Sequence, residues 1–168
     1  MAVRSVLEGV GTRAGIRRKD IHGCPQETAW AGLKRLGLAD RITAPIEPEQ
    51  SLPAPGQGAM AIEIRADRAD LQEILAPLNH LPTELAVTAE RTLSRAFGGS
   101  CQVPLAAFAT IDGDQMRLRA MIATPDGQRV AVADASGAAD APEVLGETIA
   151  AALEAQDAGA ILALCKEA

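Results

Sequence analysis

The residues with the clearest chemical potential in this chain surround the thiol of Cys101, which follows the glycine pair Gly98-Gly99. Arg91 and Arg95 lie four positions apart just before the glycines, so a helix here places both guanidinium groups on one side of its last two turns. A thiol is a good nucleophile, and arginine binds carboxylates through paired hydrogen bonds. The negative end of a helix dipole does not activate a thiol, so any activation has to come from the arginines or from other elements. A small cysteine buried in a turn is the alternative, and the residues alone leave both interpretations open.

A helix must position these side chains, and the pattern predicts one that ends at the glycines. Apolar residues recur at helical spacing along it, namely Leu81, Leu85, Ala89, Leu93 and Ala96. Pro82 suits its first position, and Glu84 suits the positive end of its dipole. Gly98 and Gly99 suit a C-terminal cap that turns the chain.

Beyond Cys101 the pattern predicts three antiparallel strands followed by helices. The strands are expected at 105–111, 115–123 and 129–135, and the second places four residues inward: Met116, Leu118, Ala120 and Ile122. Asp140 is the predicted N-cap of the next helix, whose apolar stripe is Leu145, Ile149, Ala152 and Leu153. Gly159 is expected to break that helix before a short last one. Residues 67–168 are thus predicted to form an α+β domain, a sheet covered by helices.

Upstream, the elements are shorter and separated by a loop. A helix is predicted over 27–36, with Lys34 and Arg35 in its last turn, and a Pro- and Gly-rich loop over 45–58. A half-buried strand is expected at 59–65, then a helix over 67–76 that turns Leu71, Ile74 and Leu75 inward. The run Gly56–Ala61 loosely matches a dinucleotide-binding fingerprint, but that fingerprint needs a strand before it and a helix after it, so NAD binding is rejected.

Composition excludes several classes of function. A formal charge of −6 argues against a basic surface for nucleic acid, and no apolar run reaches transmembrane length. The three cysteines, Cys24, Cys101 and Cys165, form no CxxC pair, and His22 and Cys24 have no second pair to complete a metal site. We therefore expect a cytoplasmic protein without a metal. Cys165 is expected to be a packing residue.

Three stretches carry a resemblance to a known family. They are 31–38 (AGLKRLGL), 52–65 (LPAPGQGAMAIEIR), and 87–104, which includes VTAER and GSCQVP. In this order and at about this spacing they resemble motifs of the porphobilinogen deaminase family, also called the hydroxymethylbilane synthase family. The resemblance covers roughly residues 29–168, about the C-terminal half of a family member.

The resemblance implies a transferase of tetrapyrrole (haem) biosynthesis. The family joins four porphobilinogen units head to tail, with release of ammonia, on a dipyrromethane cofactor held by a thioether. Carried over by motif, the anchor is Cys101, the other cofactor-binding residues are Arg91, Gln57, Gly58 and Arg65, and the residues that bind substrate carboxylates are Arg35 and Arg65. Arginine suits these roles because each pyrrole carries an acetate and a propionate. Arg95 has weaker support, since it can simply neutralise the helix end.

The resemblance also implies a domain organisation. Residues 1–28 stay unassigned, with a poorly ordered leader as the favoured interpretation. Residues 29–66 correspond to remnants of the family's first two periplasmic-binding-protein-like α/β domains, and 67–168 to its C-terminal cofactor-attachment domain. The family's general-acid aspartate lies in its N-terminal domain and has no counterpart here, so we predict that the chain alone does not turn over substrate. A separately encoded N-terminal half is a candidate partner, in a family whose members are usually monomeric.

Two alternatives stay open. One is a non-catalytic fragment, or a binding or assembly domain, that keeps the fold. The other is a thiol-dependent redox sensor, which predicts rapid alkylation of a free Cys101, whereas a thiol loaded with cofactor would not react.

Overall fold

The computed structural model describes residues 2–4, 9–10, 29–42, 44–100 and 103–166. Its centre is a three-stranded antiparallel sheet in the order β5-β6-β7, formed by Leu105–Asp112, Gln115–Ala123 and Val130–Ala138. The register places Ala107 opposite Ala120, and Ala120 opposite Ala133. The predicted α+β class and the three-stranded sheet are confirmed, although the third strand runs three residues past its predicted end.

Alternation along the middle strand builds the core. The four residues predicted to face inward, Met116, Leu118, Ala120 and Ile122, are all fully buried. Two helices cover that face, α3 (Leu81–Ala96) and α4 (Pro142–Glu154), and α5 (Ala158–Lys166) packs beside β6. With aromatic residues at only 2% of the chain, small and aliphatic side chains fill the core.

The two covering helices approach each other closely at Gly146. A Cβ atom at this position would lie 2.7 Å from the carbonyl oxygen of Ala89 and 2.8 Å from Cβ of Thr92. Neither neighbour is the far end of a flexible side chain, so only glycine fits without movement of a helix. Residues 89 and 92 of α3 are thereby held over the sheet next to α4.

The upstream part is built from short elements. They are β1 (Ala2–Arg4), β2 (Gly9–Val10), α1 (Ala29–Arg35), β3 (Pro45–Ile46), β4 (Ala59–Ala61) and α2 (Ala69–Leu75), with 3-10 turns at Ala39–Arg41 and Ala76–Leu78. β1 pairs with β4 and β2 with β3, both antiparallel. The unassigned segment 1–28 thus contributes two short strands, and its other residues lie outside the described part.

Further details differ from the sequence-based predictions. The strand expected at 59–65 ends at Ala61, and Met60 and Ile62 are exposed. Ile74, expected to face inward, is 69% exposed, and no residue of α2 is buried. Asp140 is not the N-cap of α4, which begins one residue after Ala141 and has no side-chain cap.

The last difference concerns the break between α4 and α5. Gly159 does not make it, because this residue lies inside α5. The turn occurs at Asp157, whose φ of 60° is a left-handed conformation. Within the described residues, no helix has the length and apolar composition to span a bilayer on its own; α4 and α5 pass that test only as a pair, bent by 76° at their break.

Candidate functional site

An open groove of about 510 Å³ runs along one face of α3. Its lining comes from α3, from the Pro/Gly loop with β4, and from the glycine pair: Pro55, Gly56, Ala59, Ala61, Glu84, Val87, Thr88, Arg91, Ser94, Arg95 and Gly99. Two of the three stretches that carry the family resemblance therefore meet at one surface.

Arg91 and Arg95 both line this groove, as their spacing predicts. Both side chains belong to exposed residues, and neither is ion-paired with any described carboxylate. Other arginines are paired, for example Arg68 with Asp70 at 2.6 Å. The groove therefore offers two guanidinium groups that remain available for an anionic ligand.

The glycine pair after α3 turns the chain at the end of the groove. Gly98 and Gly99 have φ values of 96° and 64°, a region in which a residue with a Cβ is strained. The N–H of Gly99 donates to the carbonyl of Ser94 at 2.8 Å, which closes the helix. Cys101 and Gln102 lie outside the described residues, so the predicted anchor is placed only by its position two residues after Gly99.

The Pro/Gly loop is held against α3 by a buried acid. Glu90, fully buried, accepts hydrogen bonds from the N–H of Gly56 at 2.7 Å and from the N–H of Ala109 at 2.8 Å. The neighbouring N–H of Ala107 donates to the carbonyl of Pro53 at 2.8 Å. Glu90 thus satisfies an edge N–H of β5 and fixes the loop that forms one wall of the groove.

Sequence reasoning missed Glu90, although a signal was present. It lies on the apolar stripe of α3, four positions after Ala86 and three before Leu93, where an acid is unusual. An ionisable residue on a buried helix face needs partners, and here backbone N–H groups from two other elements supply them.

The remaining predicted site residues lie elsewhere. Arg65 is paired with Asp67, with 79% of its side chain exposed, and it does not line the groove. Arg35 is exposed in the last turn of α1, and it does not line the groove either. Gln57 and Gly58 are half-buried and do not line the groove, whereas their neighbour Gly56 does. The roles assigned to these four residues stay predictions.

Metal binding has no support from the described part of the chain. Within it, no group of three His, Cys, Asp or Glu residues could hold an ion. Cys165 is a half-buried free thiol 3.2 Å from the carbonyl of Ile161, in keeping with a packing role. His22 and Cys24 lie outside the described residues.

The groove and its donors suit a dipyrromethane. Such a group bears a carboxylate on each acetate and propionate. A guanidinium group binds a carboxylate through two parallel hydrogen bonds. Gly56 and Gly99 line the groove without side chains, so a ligand can approach the backbone there. The residues present therefore fit the group at the level of charge and access.

Comparison with known proteins assigns these features to a family. Residues 28–73 match the model described as porphobilinogen deaminase, dipyromethane cofactor binding domain, and residues 84–155 match the porphobilinogen deaminase C-terminal domain. The dipyrromethane predicted from the sequence is confirmed as the cofactor of the matched domain.

Similar relatives are bacterial proteins named porphobilinogen deaminase. The one from Paraburkholderia phytofirmans is 60% identical over 133 residues, which cover 77% of this chain and 39% of the relative. Those from Bordetella parapertussis and Chromobacterium violaceum are each 56% identical, over 80% and 79% of this chain and over 43% and 42% of the relative. The chain spans about two fifths of the length of the curated relatives that it matches. It belongs to the porphobilinogen deaminase family, and its sequence corresponds to a part of a family member that includes the C-terminal domain.

Proposed function

We propose that this chain is the cofactor-carrying part of a porphobilinogen deaminase, in which Cys101 holds a dipyrromethane by a thioether. The observation that carries the proposal is the groove lined by Arg91, Arg95 and Gly99, in which neither arginine is ion-paired with a described carboxylate and Gly99 lies two residues before Cys101. The whole reaction proposed is the joining of four porphobilinogen units with release of ammonia.

The residues named in this proposal have distinct parts. Cys101 ties the cofactor to the chain, since a thioether is not reversed by exchange with other thiols. Arg91 and Arg95 bind cofactor carboxylates, and the left-handed glycines give the tether its turn. Glu90 acts indirectly, because it holds the Pro/Gly loop as the opposite wall. The bound cofactor supplies the pyrrole carbon to which the first substrate unit is joined.

Arg35 and Arg65 belong to the proposal as groups that bind carboxylates of substrate or of the lengthening polypyrrole. Neither lines the groove, so their role requires ligand that extends beyond it. Arg65 would exchange its exposed partner Asp67 for a ligand carboxylate, which is feasible because exposed ion pairs contribute little free energy.

These 168 residues are proposed not to turn over substrate by themselves. In the family the general acid is an aspartate of the N-terminal domain, and no residue of this sequence matches it. The proposal is therefore that turnover needs that domain, whether the same polypeptide or a separate partner supplies it. The cytoplasmic location also remains a proposal, and it rests on the small number of cysteines, none of which forms a CxxC pair.

The first experiment measures intact mass. The chain is purified from cells that make porphobilinogen, and a mass increment of one dipyrromethane, mapped to the Cys101 peptide, is expected. Cys101→Ser should lose the increment, whereas the matched thiol variant Cys165→Ser should keep it. An unmodified wild-type mass, or an increment that survives Cys101→Ser, contradicts the proposed attachment.

Activity is tested separately with the purified chain and porphobilinogen. We expect no ammonia or porphyrin release above background from the chain alone. Turnover comparable with that of an intact family enzyme would contradict the proposal that a further domain is needed.

A further inference from the structure

A second cavity, of about 380 Å³, lies between the stretch that follows β4 and the end of α2. Its lining combines aliphatic side chains with two amides and one carboxylate: Ile62, Ile64, Gln72, Leu75, Ala76, Asn79 and Glu84. Only Glu84 also lines the groove along α3. The cavity is therefore a surface distinct from the one assigned to the cofactor.

Large apolar side chains are exposed next to this cavity. The described residues expose eleven such side chains, and five of them fall within residues 60–81. These five are Met60, Ile62, Ile74, Leu78 and Leu81, with exposed fractions between 44% and 69%. Ile62 lines the cavity, and each of the others lies one or two positions from a lining residue. Apolar surface that is concentrated in one region marks a site where another molecule binds.

The charges at the cavity are negative and have no cation to neutralise them. Glu84 is half-buried in the wall, and its Oε2 accepts a hydrogen bond from the side-chain amide of Asn79, which orients the carboxylate. Glu73, exposed on α2, lies between the lining positions 72 and 76. Neither acid is ion-paired with a described residue, whereas the nearby Arg65 and Arg68 already have aspartate partners.

These charges decide which kind of occupant fits the surface. In a twofold dimer through this face, both copies would bring the same acids to the contact, and like charges oppose association. An anionic lipid surface would be repelled for the same reason. An aliphatic segment that carries lysine or arginine would cover the apolar side chains and also pair with Glu73 and Glu84.

We propose that this cavity is a docking site for a protein segment that has an aliphatic face edged by lysine or arginine. An aliphatic side chain of the segment enters the cavity against Ile62, Ile64 and Leu75, and a cation of the segment pairs with Glu84. The half-buried position of Glu84 makes this pair stronger than one on the open surface. Asn79 is a positioning residue, since it orients the carboxylate. The association is non-covalent and does not depend on a cofactor at Cys101.

The test uses the whole chain and two short synthetic amphipathic peptides that share the same leucine face. The polar face is lysine in one peptide and glutamate in the other, and fluorescence anisotropy of the labelled peptides at pH 7 gives the affinities. We expect the lysine peptide to bind about tenfold more tightly, and high salt to reduce the difference. Glu84→Gln should weaken binding of the lysine peptide about fivefold, and Ile62→Ser should weaken binding of both peptides.

Val144→Ser and Glu147→Gln are the matched controls, because both residues are exposed on α4 and lie outside the cavity. Neither substitution should change the affinity for either peptide. Circular dichroism checks that each variant is folded. Glu84→Gln, which keeps the shape of the side chain, decides the question if Ile62→Ser unfolds the chain.

Several results would overturn the proposal. One is failure of wild type to bind the lysine peptide, or equal affinity for the two peptides. Another is that Glu84→Gln and Ile62→Ser bind both peptides as tightly as the controls do. A dimer in sedimentation velocity that Ile62→Ser abolishes would make a second copy the occupant. Binding to anionic phospholipid vesicles that Ile62→Ser abolishes would assign the face to a membrane.

Discussion

The carboxylate of Glu90 accepts a hydrogen bond from the backbone N–H of Gly56, 2.7 Å away and 34 positions earlier in the chain. Its second oxygen accepts from Ala109 N–H in the edge strand β5. One buried side chain therefore joins the residues matched by the cofactor-binding domain model to the matched C-terminal domain.

Three contacts show how the Pro/Gly loop wraps around β5. On the outer face of the sheet, Arg119 donates to Glu49 at 2.9 Å. At the edge, Ala107 N–H donates to Pro53. On the helix side, Gly56 meets Glu90. The loop thereby covers an edge strand that would otherwise present unpaired N–H groups, and it reaches the groove in a fixed position.

The first prediction concerns Glu90→Gln. The amide has nearly the same shape, but it replaces one acceptor oxygen with a donor that faces a backbone N–H. We expect the free energy of unfolding to fall by about 2–4 kcal/mol, because a buried N–H loses its partner and the remaining bond loses its charge. Guanidinium chloride unfolding followed by circular dichroism measures the change.

Glu147→Gln, on the exposed face of α4, is the matched control and should lie within about 0.5 kcal/mol of wild type. A Glu90→Gln variant as stable as this control would show that the two hydrogen bonds do not hold the loop.

The sequence predicted what depends on local pattern, and it missed what depends on distant partners. Alternation in 115–123 fixed the inward face of β6, and the spacing of Arg91 and Arg95 placed both at the groove. The burial of Glu90 could not be derived, because its partners come from residues 56 and 109. Ile74 was assigned to a core by periodicity alone, but its side chain is exposed and no residue of α2 is buried among the described residues.

Gly146 gives the second prediction. Alanine there normally favours a helix by about 1 kcal/mol. Its Cβ would, however, lie 2.7 Å from Ala89 O, so α3 and α4 would have to separate. We expect Gly146→Ala to lower the free energy of unfolding by about 1–3 kcal/mol. Gly32→Ala in α1, where a Cβ meets nothing within 4 Å, should be neutral or stabilising. Equal effects of the two substitutions would contradict the close approach of the helices.

The third prediction concerns the anionic ligand of the groove. Arg91→Gln and Arg95→Gln should each weaken binding of a pyrrole that carries an acetate and a propionate but no aminomethyl group about tenfold, because each removes a charged donor from the lining. Arg129→Gln, an exposed arginine of the turn before β7, is the control and should have no effect. Affinity measured at two salt concentrations should fall with salt for wild type, and it should fall less for Arg91→Gln and Arg95→Gln.

If Arg91→Gln and Arg95→Gln bind the ligand as tightly as Arg129→Gln and wild type do, the groove is not a carboxylate site.

The last prediction uses the outer face of the sheet, where Arg117 pairs with Asp134. The hydrogen bond from Arg117 holds the pKa of Asp134 below its ordinary value. A lowered pKa means that the pair stabilises the fold at pH values above the ordinary aspartate pKa of about 3.9, and that this contribution disappears as the pH falls through the lowered value. Asp134→Asn should therefore be slightly less stable than wild type at pH 7, and the two should converge in strong acid.

The control is Asp140→Asn. Asp140 is an exposed acid that forms no ion pair among the described residues, so its substitution should show no such pH-dependent difference. A gap between Asp134→Asn and wild type that stays constant from pH 7 into strong acid would show that the effect of the substitution does not come from the charge of Asp134.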